Sequence, residues 1–431
     1  MCVVITKKDL ILVILVYKSV SIVYTIIMER LIEKFRRKLA DTKTDFMRSA
    51  MNTIHWDARM VGIKGARGIG KTTLLLQHIK LNYQNELDSV LYVSLDDFWF
   101  SEHSLLELTD SFSKIGGKHL YLDEVHKYPQ WSVALKNMYD DYPELHVVFT
   151  GSSLLEILKG RADLSRRAVV HTLQGLSFRE FLNMQRIGFD SDVGGFPVID
   201  LQTILENHES LSVDINRRIK PLKYFSNYMK SGYYPFFLEG EDTYEIRLEE
   251  TILMLLEVEL PLLRHIDISY VIKLKQLLSI ISESAPFIPN ITRMSDRIGI
   301  NRQTLLGYLH NLEEAKLINT IYRKSRGLSA LQKPDKIFLE NTNLMYIFKG
   351  SLVDKGNLRE TFLCNQLKYD HDLKYAEQGD FLVDGEYTIE VGGKNKTNKQ
   401  VKDLNKAYIA ADNLEYGYGN KIPLWLFGFL Y

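Results

Sequence analysis

Eight consecutive residues, Gly65–Thr72, carry the groups needed to hold a polyphosphate. Their order, Gly-Ala-Arg-Gly-Ile-Gly-Lys-Thr, fits the pattern G-x-x-x-x-G-K-[ST] at every position. Glycines at the first and sixth places let phosphate oxygens approach the backbone, so that N–H groups and a helix N-terminus face the anion. Lys71 adds positive charge beside the β- and γ-phosphates, and the Thr72 hydroxyl is a ligand for Mg²⁺. This loop therefore predicts an ATP-binding protein of the P-loop class, with ATP and Mg²⁺ as cofactors.

A strand that ends in two acids follows the loop along the chain. The apolar run His119–Leu122 leads directly into Asp123 and Glu124. In a parallel sheet this strand end lies at the same edge as the phosphate loop. We expect Asp123 to hold Mg²⁺ through water and Glu124 to polarise the attacking water.

A third strand, Val147–Phe149, has hydroxyl groups at its tip. Thr150 or Ser152 is predicted to sense the γ-phosphate, with an ordinary turn as the alternative. The full set of predicted nucleotide-binding residues is Gly65, Ala66, Arg67, Gly68, Ile69, Gly70, Lys71, Thr72, Thr73 and Ser152.

Hydrolysis also needs positive charge on the γ-phosphate in the transition state. Arg161, Arg166 and Arg167 follow the Ser152 tip and are the available donors. The preferred pair is Arg166 and Arg167, acting in cis or on a neighbouring subunit, with a solvated basic patch as the alternative. The predicted catalytic residues are Lys71, Glu124, Arg166 and Arg167.

Short apolar strands that alternate with helices must position these residues. Met60–Ile63 is predicted as a strand that runs into the loop, and a helix follows from Thr72. Val90–Val93 is a further strand, besides those that end at Asp123 and at Thr150. Such alternation predicts a parallel sheet in an α/β domain.

The pattern changes after about Leu176. Tyr224–Met229 and Ile246–Leu260 have helical spacing. Strands are predicted again at Phe381–Val383, Tyr387–Val391 and Leu424–Leu430.

Length and composition limit the class of protein. A chain of 431 residues is too long for one ordinary core and predicts two to four domains. With 54 basic and 54 acidic residues, the formal net charge is zero, so a general nucleic-acid or membrane-surface coat is not indicated. The two cysteines, Cys2 and Cys364, form no disulfide framework, which favours a reducing, cytoplasmic compartment.

One apolar run, Leu10–Ile27, does not fit a wholly soluble chain. It is interrupted by Lys18, and a lysine in mid-membrane costs roughly 2.5–3.5 kcal/mol. Two interpretations stay open. Either Met28 is the true start and residues 1–27 are a gene-model extension, or the run is a peripheral helix or membrane anchor, and the protein is then membrane-associated.

The chain from Met28 onward resembles the AAA-type P-loop ATPases of bacteria and archaea whose C-terminal part is the DUF4143 region. The resemblance is carried by Gly65–Thr73, Leu122–Glu124, Thr150–Ser153, and Ser165–Arg167 followed by Leu176–Phe181. It implies a P-loop core, a helical lid, a winged helix and a restriction-endonuclease-like α/β domain. The expected boundaries are an ATPase core at 28–200, a lid at 201–265, a winged helix at 266–340 and the endonuclease-like domain at 341–431.

Residues 291–314 themselves predict a helix-turn-helix. Gly299 suits the tight turn, and Asn301 is suited to cap the second helix. Arg302, Gln303 and Tyr308 are predicted to face outward, and Ile318–Arg323 with Lys336–Leu339 to form a wing. DNA is one predicted partner of residues 291–323, and a protein partner is the other.

The last predicted domain contains a spaced pair of acids. Asp380 precedes one strand and Glu390 lies on the next, with Lys394 after it and Glu360 on an earlier helix. Two carboxylates that hold Mg²⁺, followed by a lysine, are the elements of a D…E-x-K nuclease core. Lys394 stands four residues after Glu390 rather than two, which favours a non-cleaving domain over a second metal site at Asp380 and Glu390.

Together these features predict a Mg²⁺-dependent ATPase whose nucleotide state acts on a winged helix and a nuclease-like region. The alternative is a nucleotide-gated DNA-binding protein or nuclease. A homo-oligomer is a further expectation, because the arginines would then act across subunits.

Overall fold

The computed structural model describes residues 28–152, 164, 166–192, 194–264, 270–323, 332–397 and 404–431. The apolar run Leu10–Ile27 lies outside them. The chain divides into two compact units: the first comprises Met1–Gly65 and Gly70–Leu173, and the second comprises Ala66–Ile69 and Gln174–Tyr431. Within the described ranges, no helix combines the length and the hydropathy needed to cross a membrane.

The first unit is built on a five-stranded parallel sheet. Its strands are β1 (Met60–Gly65), β2 (Val90–Ser94), β3 (His119–Asp123), β4 (His146–Ser152) and β5 (Val169–Thr172). Their order is β2-β3-β4-β1-β5, and every neighbouring pair is parallel. The strands β1 to β4 are almost wholly buried, as expected for a parallel sheet that is covered on both faces. The predicted parallel α/β sheet is confirmed.

Helices precede and connect these strands. They are α1 (residues 28–41), α2 (Ala50–Thr53), α3 (Lys71–Asn82), α4 (Leu105–Lys114) and α5 (Trp131–Asp141), with 3₁₀ turns at Leu87–Ser89, Phe98–Ser101 and Val125–Lys127. A capping box starts α4: the Ser104 hydroxyl accepts the Glu107 N–H, and the Glu107 carboxylate accepts the Ser104 N–H. On α3, Leu74, Leu75 and Ile79 are fully buried, which fixes this helix.

A glycine in the middle of β1 allows close packing inside this sheet. A Cβ on Gly62 would lie 2.7 Å from the Phe149 ring of β4 and 3.2 Å from Val170 of β5. The absence of a side chain at this position therefore lets Phe149 pack directly over β1, the strand that leads into the phosphate loop.

The second unit is largely helical at first. Its helices are α6 (Phe178–Met184), α7 (Leu201–Arg218), α8 (Pro221–Ser231), α9 (Glu241–Met254), α10 (Leu260–Arg264), α11 (Val271–Ser284), α12 (Ile291–Ile298), α13 (Arg302–Glu314), α14 (Thr342–Lys349) and α15 (Lys355–Leu367). Shorter helical turns are the 3₁₀ segments Pro235–Glu239, Gly350–Leu352 and Leu424–Phe429 and the π-helical segment Leu255–Glu259. Pro221 at the first position of α8 shows how sequence sets a boundary, since its fixed φ suits a helix start.

The described residues of the second unit also form two sheets. The strands β6 (Ile318–Ile321) and β7 (Lys336–Leu339) form an antiparallel pair. The others are β8 (Leu373–Tyr375), β9 (Phe381–Val383), β10 (Tyr387–Gly393), β11 (Ala407–Asp412) and β12 (Lys421–Pro423). They form a mixed sheet of order β12-β11-β10-β9-β8.

The predicted strand at Leu424–Leu430 is wrong, because Leu424–Phe429 is a 3₁₀ helix. Every residue of this segment is buried, so the run lacks the alternation that marks a half-buried strand. A continuous apolar run fits a buried helical segment equally well.

The first unit ends at Leu173, whereas the expected core extended to residue 200. Residues 174–199 pack within the second unit instead. The Ser177 hydroxyl and the Arg179 guanidinium both donate to the carbonyl of Tyr431, and the Ile199 N–H donates to Phe429. These bonds to the last residues of the chain explain the earlier boundary; the divisions expected within the second unit stay predictions.

Candidate functional site

The phosphate-binding sequence joins β1 to the first turn of α3. Gly68 and Gly70 have φ values of 79° and 93°, a region that residues with a side chain rarely adopt. Lys71 is buried, and its ammonium donates to the Gly65 carbonyl at 3.0 Å. Thr72 is partly exposed and Thr73 is exposed. The loop therefore has the strand–turn–helix context that its sequence pattern requires.

The middle of this loop, Ala66–Ile69, belongs to the second unit. Within that unit the Arg67 guanidinium lies 3.2 Å from a carboxylate oxygen of Glu259, which is almost fully buried. A Cβ on Gly68 would lie 2.9 Å from the Phe236 ring. Ile69 is buried, and Ala66 is partly exposed. Arg67 thus has a carboxylate partner in addition to its place in the loop.

Three hydroxyl groups converge on the carboxylate of Asp123, which is almost fully buried. Thr72 Oγ1 donates to Asp123 Oδ2 at 2.6 Å, and Tyr92 Oη donates to the same oxygen at 2.7 Å. Thr150 Oγ1 donates to Oδ1. A hydroxyl and a carboxylate are the oxygen ligands that Mg²⁺ prefers. The structure thus brings together the two residues predicted as magnesium ligands, Thr72 and Asp123.

The pKa of Tyr92 is changed by its own burial and by its neighbour Asp123. Burial raises the pKa of the Tyr92 phenol, and the negative charge of Asp123 raises it further. Tyr92 therefore stays protonated at neutral pH and remains a hydrogen-bond donor. Nothing in the sequence pattern singled out Tyr92, since it lies on β2 within an unremarkable apolar strand.

Glu124 adopts an unusual backbone conformation just beyond β3. Its φ of 55° and ψ of 43° lie in the left-handed region, and its N–H donates to Thr150 Oγ1 at 3.1 Å. One carboxylate oxygen lies 3.3 Å from His126 Nε2. Thr150, one of two predicted γ-phosphate sensors, is fully buried and holds Asp123 and Glu124 instead.

Ser152, the other predicted sensor, ends β4 beside the loop. In the register of the sheet it pairs with Gly65, the first residue of the phosphate-binding sequence. Its N–H donates to His126 Nδ1 at 3.3 Å. The β4 tip and the start of the loop are therefore direct neighbours.

The two predicted catalytic arginines lie at the other end of the sheet. Val169 of β5 pairs with Val61 near the start of β1, so Arg166 and Arg167 precede the amino end of these parallel strands. The Arg167 guanidinium forms two bonds of 2.9 Å with the carboxylate of Asp140. Arg166 is exposed. The phosphate loop is at the carboxyl end of β1, which corrects the expectation that these arginines act on the γ-phosphate in their own chain. Their action on a neighbouring subunit stays a prediction. Arg161 lies outside the described residues.

The predicted helix-turn-helix is present as two helices and a tight turn. Gly299 ends α12 with a φ of 71°, and the Asn301 side chain accepts the Thr304 N–H at the start of α13. Arg302 and Gln303 are exposed, as expected. Tyr308 is buried, which corrects the expectation that it faces outward; it lies three residues from Leu305, on the inward face of α13.

The C-terminal acids are paired with lysines. The ammonium of Lys396, not that of Lys394, contacts the Glu390 carboxylate, and Lys336 contacts Glu360. An oxygen of Asp380 accepts the Val391 N–H at 2.8 Å. Each of the two glutamates therefore has its own lysine partner, and Asp380 is held by a backbone N–H of β10.

Titration of this C-terminal cluster reflects its burial. Burial raises the pKa of Glu360, the charge of Asp380 raises it further, and Lys336 opposes the shift. Burial also raises the pKa of Glu390, against the hydrogen bond from Lys396. Among the described residues, no group of three or more His, Cys, Asp and Glu side chains is arranged to hold a metal ion. The second metal site at Asp380 and Glu390 therefore stays a prediction.

A parallel sheet of order β2-β3-β4-β1-β5, with the phosphate-binding sequence after β1 and acids after β3, fits a P-loop NTPase core. Residues 57–182 match the sequence profile of a family described as an AAA domain. The match does not extend to the DUF4143-type domain expected at 341–431.

One curated relative is the uncharacterized protein MJ1637 of Methanocaldococcus jannaschii. It is 27% identical over 379 residues, which cover 79% of this chain and 77% of the relative. Two similar solved structures are the Hsp104–ADP complex of S. cerevisiae (15% identity, 67% of this chain, 39% of that chain, TM-score 0.27) and Cdc6p of Pyrobaculum aerophilum (14% identity, 67% of this chain, 85% of that chain, TM-score 0.25).

Proposed function

We propose that this protein binds ATP with Mg²⁺ at Gly65–Thr72 and hydrolyses it. The observation that carries the proposal is the 2.6 Å hydrogen bond between Thr72 and Asp123, one residue after the buried Lys71. This arrangement supports the proposal, because a cation and two candidate oxygen ligands then lie at the phosphate-binding loop. The AAA-domain match over the same residues supports the class of reaction.

The chain's own residues have separable tasks in this proposal. The loop N–H groups and Lys71 bind and orient the phosphates, and Thr72 and Asp123 are the residues that would hold Mg²⁺. Bound Mg²⁺ would supply positive charge against the phosphate oxygens. The Glu124 carboxylate accepts a proton from the attacking water, whose oxygen forms the new bond to the γ-phosphorus while ADP leaves.

Phosphate release from ATP tests this proposal. Glu124→Gln removes the proton acceptor and keeps the size of the side chain, so turnover falls by at least about a hundredfold while ATP binding persists. Lys71→Ala weakens binding as well as turnover. Turnover that is unchanged in Glu124→Gln contradicts the assignment of the base, and binding without any turnover in the wild type indicates a nucleotide-binding scaffold.

A homo-oligomer is part of the proposal, because Arg166 and Arg167 lie at the amino end of the sheet. If either arginine acts on a neighbouring subunit, a mixture of Lys71→Ala with Arg166→Ala or Arg167→Ala recovers activity that each variant lacks alone. Such recovery arises because an intact loop meets an intact arginine across the interface. No recovery, or full activity of both arginine variants, contradicts the trans role.

We further propose that the nucleotide state acts on the second unit, with a winged helix at 266–340, a lid at 201–265 and an endonuclease-like domain at 341–431. The capped turn of α12 and α13 and the β6–β7 pair support a winged-helix interpretation. The mixed sheet with the Glu360, Asp380 and Glu390 cluster supports the endonuclease-like one. The resemblance to a DUF4143 region is the basis for placing them in this order.

The alternative proposal is a nucleotide-gated DNA-binding protein or nuclease. The exposed Arg302 and Gln303 at the start of α13 favour contact with DNA. Duplex binding with a steep salt dependence, reduced by Arg302→Ala, supports this alternative; no binding favours a protein partner. Mg²⁺-dependent nicking that is lost in Asp380→Ala indicates a nuclease, whereas the lysine pairs on Glu360 and Glu390 favour a domain that does not cleave.

A further inference from the structure

His126 contacts two residues of the candidate site from a buried position. It lies in the 3₁₀ turn Val125–Lys127, immediately after β3 and Glu124. Its Nδ1 is 3.3 Å from the backbone nitrogen of Ser152, and its Nε2 is 3.3 Å from Oε2 of Glu124. The imidazole therefore spans from the tip of β4 to the predicted catalytic base.

The contact with Ser152 defines which nitrogen of His126 carries the proton. A backbone N–H only donates, so Nδ1 must offer its lone pair. In the neutral imidazole the proton is then on Nε2, the nitrogen that faces the Glu124 carboxylate. A doubly protonated ring would lose the bond to Ser152, because both of its nitrogens are donors.

Glu124 is held at two points by the end of β4. Its backbone has the left-handed conformation, which is unfavourable for a residue with a side chain. Its N–H donates to Thr150 Oγ1 at 3.1 Å, and its carboxylate is joined through His126 to the Ser152 N–H. Both anchors come from β4, the strand whose last residue pairs with Gly65 of the phosphate loop.

We propose that His126 is a positioning residue for Glu124, and that it couples the orientation of this carboxylate to the tip of β4. The inference rests on the proposed function, since it assigns Glu124 as the base. In the structure Nε2 and the carboxylate oxygen lie at ion-pair distance, 3.3 Å, without hydrogen-bond geometry. In the proposal the Nε2–H donates to this oxygen when Glu124 engages the attacking water, because a base must be held within hydrogen-bond reach of the water it activates. When Ser152 moves, the rigid imidazole of His126 moves with it and displaces the Glu124 carboxylate. The nucleotide bound in the phosphate loop next to Ser152 therefore sets the orientation of Glu124.

Two substitutions separate the two contacts of the ring. In His126→Gln the side-chain amide nitrogen reaches the place of Nε2 and still donates to Glu124, but the acceptor for Ser152 is lost. In His126→Asn the amide oxygen takes the place of Nδ1 and still accepts from Ser152, but the donor to Glu124 is lost. A positioning role predicts that Asn is the more harmful change, whereas a role as a structural anchor predicts the reverse.

Steady-state hydrolysis measures this difference. We expect His126→Asn to lower kcat about tenfold or more with KM changed less than about threefold, and His126→Gln to keep most of kcat. His78→Asn, which removes another buried imidazole of the same unit, is the matched control and leaves kcat unchanged. Equal losses in Gln and Asn, or a greater loss in Gln, overturn the proposal.

The tautomer provides a test that does not depend on turnover. Nitrogen-15 NMR of labelled histidine, with the His126 signals assigned from the substituted variants, should show the proton on Nε2 and a shift of that signal in Glu124→Gln. A proton on Nδ1, or no response to Glu124→Gln, overturns the positioning role even if the protein hydrolyses ATP. A wild-type protein that shows the expected tautomer but no hydrolysis refutes the proposed function instead.

Discussion

At the scale of single residues, the candidate site is organised around one buried carboxylate. Asp123 receives hydrogen bonds from Thr72, Tyr92 and Thr150, which lie on α3, β2 and β4. A carboxylate removed from water is costly unless such donors compensate for the lost solvation. The three donors therefore keep a charged oxygen pair ready at the place where a cation is expected.

Tyr92→Phe tests how much this arrangement depends on a residue that no motif identifies. Removing the hydroxyl leaves Asp123 Oδ2 with one donor fewer, which costs about 1–3 kcal/mol in the free energy of unfolding because the carboxylate stays buried. Mg²⁺-dependent ATP affinity also falls severalfold, since the carboxylate is less fixed. Urea denaturation and ATP titration measure the two effects.

Tyr121→Phe is the matched control, because its hydroxyl contacts His78 at 2.8 Å rather than Asp123. It should change the free energy of unfolding without changing the Mg²⁺ dependence. Equal effects of the two substitutions on ATP affinity would contradict the role given to Tyr92.

His78 makes the stability of the first unit depend on pH. Burial, and then the charge of His119, lowers its pKa from 6.5 to about 4. The unfolded chain takes up this proton near pH 6.5 but the folded chain does not. The contribution is thus complete above the unfolded pKa, and it is lost as the pH falls from 6.5 towards 4.

We therefore expect the free energy of unfolding to fall by up to about 3 kcal/mol from this group over that window. His78→Asn should flatten the pH dependence, because asparagine does not titrate. Urea denaturation between about pH 7 and about pH 4.5 measures the slope of both proteins. An identical slope in the variant would show that other groups cause the pH dependence.

At the scale of elements, β1 and its neighbours fix the direction of the phosphate loop. Phe149 of β4 packs against the backbone of Gly62, and the register of β1 with β4 places Gly65 beside Ser152. The loop starts where this register ends. A small disturbance within the sheet is therefore expected to reach the site through β1.

Gly62→Ala tests the packing of these strands. The new methyl group would lie 2.7 Å from the Phe149 ring, and such overpacking typically costs 1–3 kcal/mol. Thermal or urea denaturation measures the loss. Phe149→Leu should be less harmful in the Gly62→Ala background than in the wild type, because a smaller side chain relieves the clash. Simple additivity of the two substitutions would contradict this account.

Local patterns in the sequence predicted most of the first unit. The strands and the loop are each encoded by consecutive residues, so their types could be inferred without knowledge of the fold. The roles of Tyr92 and His126 could not, because they depend on contacts between strands that are distant in sequence. His126 follows Glu124 by two residues, and this short spacing was the only feature of the sequence that could have indicated a role for His126 beside Glu124.

Patterns failed where periodicity carried no information. Leu424–Phe429 is buried throughout, so nothing distinguished a strand from a 3₁₀ helix. Arg166 and Arg167 were assigned from their proximity in sequence to Ser152, but β5 begins at the amino end of the sheet. Because parallel strands run in the same direction, the chain must return from the carboxyl edge of the sheet to its amino edge between two of them. A residue close in sequence to the end of one strand can therefore lie at the opposite edge, and spacing alone does not reveal this.

At the scale of the whole molecule, the chain combines a P-loop unit with a larger second unit. Formal charge is balanced, and in the second unit Glu360 and Glu390 are each paired with a lysine. The proposal is that ATP binding and hydrolysis at the phosphate loop control how the second unit binds DNA or a protein partner. All of it depends on the ability of Gly65–Thr72 to hold a triphosphate.

Equilibrium binding of ATP to the full chain tests that claim most directly. The account predicts Mg²⁺-dependent binding that Lys71→Ala weakens at least about tenfold, because one charge-assisted contact to the phosphates is lost. Lys355→Ala, which removes an exposed charge at the start of α15, should bind as the wild type does. No uptake of ATP in the presence of Mg²⁺, or equal uptake by wild type and Lys71→Ala, would contradict the account.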